Sequence, residues 1–173
     1  MRWYYGDPIR SVWHDDALQT ALVQTLKLGA GTNEFDATNI YIGAPVNRGN
    51  GAIVFNGGTG TFKVRDMTGA GRANLYLSYG SAGTGFTIDG KVTLTGHSAD
   101  LLLNNLGVAG ASGFTAAPRS GTFSFDTGTL DATTLNIANR SGTTATSGTV
   151  TGTVNLNVGG GTGVVTFGTA VIA

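Results

Sequence analysis

The chain of 173 residues contains no cysteine. That excludes a disulfide framework, a thiolate nucleophile and the cysteine-based zinc sites, so cohesion must come from packing and backbone ladders. Proline is scarce, at 3 residues, and charged residues make up only 12%. With a formal net charge of zero, nothing draws the chain to a phosphate backbone or an acidic membrane surface, and nucleic acid is not an expected partner. Apolar residues are not scarce: a chain 40% hydrophobic with a mean hydropathy of +0.09 is not a disordered one. No apolar run reaches the length of a membrane span. The N-terminal MRWYYGDPIR lacks the apolar core and small-residue cleavage site of a secretory signal, so an exported chain would need a leader outside this sequence.

What is abundant is glycine, at 29 residues, in a β-rich, turn-dense texture. Two regions differ in character, 1–28 and 29–173. In the first, Arg2 to Gly6 is aromatic and charged, and Ser11 to Leu28 reads as the chain's one helix. Asp15 or Asp16 can cap its N-terminus, Leu18, Ala21, Leu22 and Leu26 recur at helical spacing, and Lys27 and Gly29 supply stop signals. The spacing predicts a short amphipathic helix there.

From about Asn33 the period switches to two, in short runs such as Ile40-Tyr41-Ile42, Phe62-Lys63-Val64, Leu75-Tyr76-Leu77 and Leu101-Leu102-Leu103. In Val154 to Val158 three aliphatics alternate with two asparagines, as in a strand with one packed and one wet face. The hairpin dipeptides Asn50-Gly51 and Asp89-Gly90 are weak candidates, which counts against an up-and-down barrel. Internal repetition decides the architecture. Phe35-Asp36-Ala37-Thr38-Asn39-Ile40-Tyr41-Ile42 aligns with Leu130-Asp131-Ala132-Thr133-Thr134-Leu135-Asn136-Ile137, and Ile88-Asp89-Gly90-Lys91-Val92-Thr93-Leu94 is a looser echo.

Short strands repeating with small-residue turns predict stacked coils, each shielding its neighbour's inner face. The fold class expected is all-β, a parallel β-helix (β-solenoid) with a short N-terminal α-helical cap. At about 20 residues per coil, the body from Gly29 to Ala173 holds about seven coils. Such a stack has open sheet edges at its ends. The helix and Trp3, Tyr4, Tyr5 and Trp13 are suited to cover the first coil, while Val171 and Ile172 leave the last one bare. These six residues are the candidate assembly ends, and head-to-tail self-association through them is an expected contact.

The segment from Gly121 to Gly163, GTFSFDTGTLDATTLNIANRSGTTATSGTVTGTVNLNVGGGTG, resembles the autotransporter-associated β-strand repeat proteins of bacterial surfaces. The shared texture is a "GTL…L.I…G…GTV.L..GG" cadence over the C-terminal third. The resemblance implies a right-handed β-helix, exported to an extracellular or cell-surface location, acting as a stalk, adhesin or matrix component in contact with surfaces or glycans. It carries no catalytic motif with it.

Asp36, Asp89 and Asp131 could line a carboxylate column, but calcium needs six to eight oxygens and glycoside hydrolysis two carboxyls at a set separation. Their simpler role is turn capping. Gly57-Gly58-Thr59-Gly60-Thr61-Phe62 begins like a calcium-binding nonapeptide but has Phe62 at the aspartate position, and it lacks the lysine of a phosphate-cradling loop. Its glycines serve turns of positive φ. Two histidines, His14 and His97, make neither a three-histidine metal site nor a Cys-His dyad. His97, Ser98 and Asp100 are neighbours without a nucleophile-elbow motif, and His97 reads as a turn residue. Lys63, Arg65, Asp66 and Arg72 form the densest charged patch, read as a solvated face. The T-x-T spacing in Thr144 to Thr153 resembles an ice-binding ladder but is not repeated in earlier coils. No catalytic, metal or cofactor site is therefore expected. The leading expectation is a noncatalytic structural or adhesive solenoid, followed by a self-assembling filament subunit and then a β-helix polysaccharide lyase or hydrolase.

Overall fold

Threonine and alternating aliphatics favour extended backbone, glycine supplies the turns between, and all regular structure among the described residues is strand. The computed structural model describes residues 2–4, 23–43, 49–80, 87–112, 118–141, 148–156 and 160–172. In chain order the strands are β1 (Arg2–Tyr4), β2 (Val23–Leu28), β3 (Gly31–Asp36), β4 (Asn39–Ile42), β5 (Asn50–Phe55), β6 (Gly60–Arg65) and β7 (Ala73–Gly80). There follow β8 (Ile88–Thr93), β9 (Ser98–Ser112), β10 (Arg119–Phe125), β11 (Thr127–Ser141), β12 (Val150–Leu156) and β13 (Val164–Ile172).

Every pairing among the described strands is parallel. One sheet runs β1-β3-β6-β9-β11-β13, with β4 and β7 joined to β9 alongside; the other runs β2-β5-β8-β10-β12. Each circuit of the chain therefore lays one strand in the smaller sheet, turns a corner, and continues in the larger sheet. The result is a β-solenoid of about four turns, not seven. The partners Val23 and Asn50, Gly51 and Gly90, Ile88 and Arg119, and Arg119 and Val150 give roughly 27 to 39 residues per circuit. The shorter unit expected from sequence treats each strand pattern as most of a coil, whereas one circuit uses two or three of them.

The expected helical cap is also corrected. Val23–Leu28 is strand β2, paired in parallel with β5, and Leu26 is exposed rather than buried on a helical stripe. Backbone pairing to Asn50–Phe55 along one side of this edge strand overrides its helical spacing. The remainder of that segment, 11–22, lies outside the described residues.

Register explains the core. Phe35, Val64, Leu101, Leu130 and Val165 form one column across the larger sheet, and Ile40, Leu75, Leu106 and Leu135 form a second. Ile42, Leu77, Val108 and Ile137 form a third. The sequence repeat Phe35–Ile42 and Leu130–Ile137 thus occupies equivalent places in different coils. From the smaller sheet, Ile53, Val92 and Phe123 pack against these columns. Full burial of each such side chain contributes on the order of 1.5–3 kcal/mol.

A glycine column sets where the two sheets meet. Gly51, Gly90, Gly121 and Gly152 are in register across the smaller sheet. A Cβ at Gly51 would lie 2.6 Å from the Gly43 nitrogen, and one at Gly121 2.5 Å from the Ala109 nitrogen. One at Gly90 would strike Ser78, and one at Gly152 would lie 2.8 Å from the Ala138 nitrogen. Those facing residues are where the larger sheet bends, with φ of 68° at Gly43, 49° at Ser78, 54° at Ala109 and 53° at Ala138. Three non-glycine residues in the left-handed region, one per coil, mark a repeated corner that the rest of the coil holds in place.

Candidate functional site

The outer face of the larger sheet carries the polar chemistry. Alternation on β6 buries Gly60, Phe62 and Val64 and sends Thr61, Lys63 and Arg65 outward. Lys63 stands opposite Glu34 in register, and its Nζ lies 2.9 Å from the Glu34 Oε1. Arg65 donates through Nη2 to Asp100 Oδ1 at 2.6 Å and through Nη1 to the backbone carbonyl of Asp100 at 2.8 Å. Arg72 reaches across two coils, donating to the Leu103 carbonyl at 2.8 Å and to Asp131 Oδ2 at 2.7 Å. The patch read from sequence as a solvated face is a set of clamps between coils.

Asp66 behaves differently. Its carboxylate accepts from the Thr68 hydroxyl at 2.6 Å and from the backbone N–H groups of Thr68 and Gly71 at 3.0 and 2.9 Å. Those donors, the Thr68 hydroxyl first, hold its carboxyl below the usual aspartate range. The loop between β6 and β7 is thereby fixed by its own aspartate.

Beside the clamps runs an amide ladder. Asn105 Nδ2 donates to Asn74 Oδ1 at 2.8 Å, and Asn74 Nδ2 donates to Asn39 Oδ1 at 2.9 Å. The column continues to Thr134 and Thr169. Next along the strands, Tyr41 and Tyr76 stack with ring centroids 5.2 Å apart, and Tyr76 and Tyr79 at 5.0 Å. The rings lean over Gly107 and Gly110, where a Cβ would collide with them; at Gly107 it would lie 2.7 Å from Tyr76 Cδ1. Burial, then repulsion of its phenolate by those of the neighbouring tyrosines, raises the Tyr76 phenol above its ordinary value. This tyrosine cluster was missed in sequence reasoning. The signal lay in Tyr41 and Tyr76 holding the same place beside the aliphatic columns.

The sequence-nominated aspartates do not converge. Asp36 stands opposite Arg65 and is buried, Asp131 stands opposite Leu102 and pairs with Arg72, and Asp89 lies exposed on the other sheet. No carboxylate column forms. Asp100 is engaged by Arg65, so it does not orient His97, which sits in the turn before β9 stacked on Phe55 at 3.9 Å. Among the described residues no group of three His, Asp or Glu could hold a metal. Gly57 and Gly58 have φ of 84° and 76°, the turn role expected of them. Thr151 and Thr153 face outward on β12 beside Ser120 and Thr122, while Thr144 and Thr146 lie outside the described residues.

Besides Asp36, two further ionic side chains are internal. Arg119 is 1% exposed, in phase with Phe123 and Phe125 on β10, and burial lowers its guanidinium pKa. That phase was readable in Arg119-Ser120-Gly121-Thr122-Phe123, although a charged residue is an unusual inward member. Asp126, buried at the next corner, accepts from the Gly96 N–H at 2.8 Å.

Of the candidate assembly ends, Trp3 and Tyr4 belong to β1, opposite Phe35 and Asp36 in backbone register. Tyr5 and Trp13 lie outside the described residues. Val171 and Ile172 are on β13, where Ile172 is 72% exposed. No described helix is long and apolar enough to cross a membrane.

Comparison with protein-family models, with curated proteins and with solved structures gives no match.

Proposed function

We propose that this chain is a noncatalytic structural or adhesive β-solenoid, an exported segment of a bacterial surface protein wound with the right hand usual for parallel crossovers. The observation that carries the reading is the use made of its charged side chains: Glu34, Lys63, Arg65, Asp100, Arg72 and Asp131 tie one coil to another. An apolar interior running through all coils and ionic ties along its outside suit a load-bearing rod. The tyrosine stack with its flanking amides is the adhesive face in this reading, since aromatic rings and amides together suit a neutral sugar surface. The resemblance of Gly121 to Gly163 to autotransporter-associated repeats agrees with export.

The test is a screen against polysaccharides with the purified chain. The reading expects no turnover, and retention on glycan that weakens in a Tyr79→Ala variant. Measurable turnover abolished by substituting a single carboxylate, Asp89, Asp100 or Asp131, would overturn it.

A second reading, head-to-tail assembly into a filament, is favoured by the apolar side chains exposed on β13, with Val164 at 60% and Val171 at 40%. A heterologous contact of that kind propagates without closing. Electron microscopy distinguishes the readings: filaments lost in an Ile172→Asp variant support assembly, and monodisperse particles at high concentration exclude it.

A further inference from the structure

The sequence contains two Asn-Gly steps, Asn50-Gly51 and Asn56-Gly57. Glycine has no side chain to shield its backbone nitrogen, so that nitrogen can reach the carboxamide carbon of a preceding asparagine wherever the backbone is free to turn. The fold places the two steps in opposite circumstances.

Asn50 and Gly51 open β5, Asn50 paired with Val23 of β2 and Gly51 opposite Gln24 on one side and Gly90 of β8 on the other. The Asn50 side-chain oxygen accepts the Asp89 N–H at 2.8 Å, and Gly51 is packed against Gly43. Asn56 is the residue after β5 ends. Its own N–H donates to the Leu28 carbonyl at 2.9 Å, which anchors the residue on its upstream side only. Asn56, Gly57, Gly58 and Thr59 are all exposed, and a Cβ at Gly57 would meet nothing within 4 Å.

From this contrast we propose that Asn56 is a self-modification site, where the folded chain deamidates while Asn50 is protected. The Gly57 backbone nitrogen, losing its proton to water, forms a bond to Asn56 Cγ. The bond from Cγ to Nδ2 breaks, and Nδ2 leaves as ammonia with a proton taken from solvent. Water then opens the resulting succinimide at either of its two carbonyls, giving aspartate or isoaspartate. No electrons are exchanged, and solvent water is the only co-reactant. The product places a new carboxylate at the corner between β5 and β6.

The experiment incubates the purified folded chain at mildly alkaline pH and follows both sites by peptide mapping with isoaspartate detection, beside a sample unfolded in urea. In the folded chain Asn56 is expected to convert at least about tenfold faster than Asn50, the factor that about 1.4 kcal/mol of local opening imposes. In urea the two sites are expected to react alike. An Asn56→Gln variant, which cannot close the five-membered ring readily, should stay silent at that position without disturbing the turn. Equal rates at the two asparagines in the folded chain, or a faster Asn50, would overturn the proposal.

Discussion

Arg65 and Asp100, 35 residues apart in the chain, meet at 2.6 Å across two adjacent coils. Arg65 also donates to the Val64 and Asp100 carbonyls, each at 2.8 Å, and its side chain is only 14% exposed. Replacing it removes two hydrogen bonds to carbonyls and one to a carboxylate. Arg65→Met is expected to cost about 2 kcal/mol by urea unfolding, and Asp100→Asn about 1 kcal/mol. Arg65→Lys should recover only part of the loss, because an ammonium cannot reproduce the planar fork.

The amide ladder has a centre and an end. Asn74 donates to Asn39, accepts from Asn105 and also donates to the Thr38 carbonyl at 3.3 Å, so Asn74→Ala removes three hydrogen bonds and Asn39→Ala one. The expected losses are about 2 and about 1 kcal/mol respectively, read from denaturant midpoints. Thr134 occupies the next rung above Asn105. Thr134→Asn should extend the ladder and raise stability by up to about 1 kcal/mol.

The glycine column and the bend it faces make opposite predictions. A Cβ at Gly121 meets Ala109 backbone, so Gly121→Ala must displace backbone and is expected to lower stability by about 3 kcal/mol. Ala109 itself sits at φ 54°. Ala109→Gly removes the left-handed penalty and should be neutral or stabilising by up to about 1 kcal/mol, in contrast to the usual cost of glycine in a strand. Thermal unfolding of the two variants checks both signs.

Asp66 supplies a pH dependence. Its folded pKa is lowered, so its contribution is present above the ordinary aspartate pKa and fades as pH falls through the folded value. Unfolding measured from neutral pH into the acid range should therefore be less pH-dependent in Asp66→Asn than in the parent chain. The parent's excess stability should begin to fall near about pH 4 and vanish once the pH lies below the lowered folded value.

Strand texture, parallel coiling and the alignment of Phe35–Ile42 with Leu130–Ile137 were all readable before the fold, because a period of two and a repeated aliphatic pattern report which side chains face a shared interior. Coil number was not. A circuit must cross two sheets, and nothing local in Phe62-Lys63-Val64 says that Leu75-Tyr76-Leu77 belongs to the same turn. The helix expected up to Leu28 failed at β2 for a related reason: Leu26 keeps helical spacing and Lys27 stands as a stop signal, but their backbone partners, Ile53 and Val54, lie in β5. The clamps formed by Arg65 and Arg72 were also hidden, since their acceptors are in later coils and register alone brings them together. The bends at Ser78, Ala109 and Ala138 had no composition signal; only the glycines facing them did.

Parallel register between successive coils is the central claim, and the absence of cysteine makes it directly testable by paired cysteine substitution. Lys91 and Thr122 are partners on β8 and β10, and Thr122 and Thr153 on β10 and β12, all on the outer face. In-register neighbours have Cα atoms about 4.8 Å apart, within disulfide reach, whereas Asp89 and Thr122 are offset by two residues, roughly 8 Å apart and out of reach. On mild oxidation the Lys91→Cys/Thr122→Cys and Thr122→Cys/Thr153→Cys variants should form internal disulfides at high yield, and the Asp89→Cys/Thr122→Cys variant should not. Failure of both aligned pairs, or equal yield from the offset pair, would contradict the stacked-coil account.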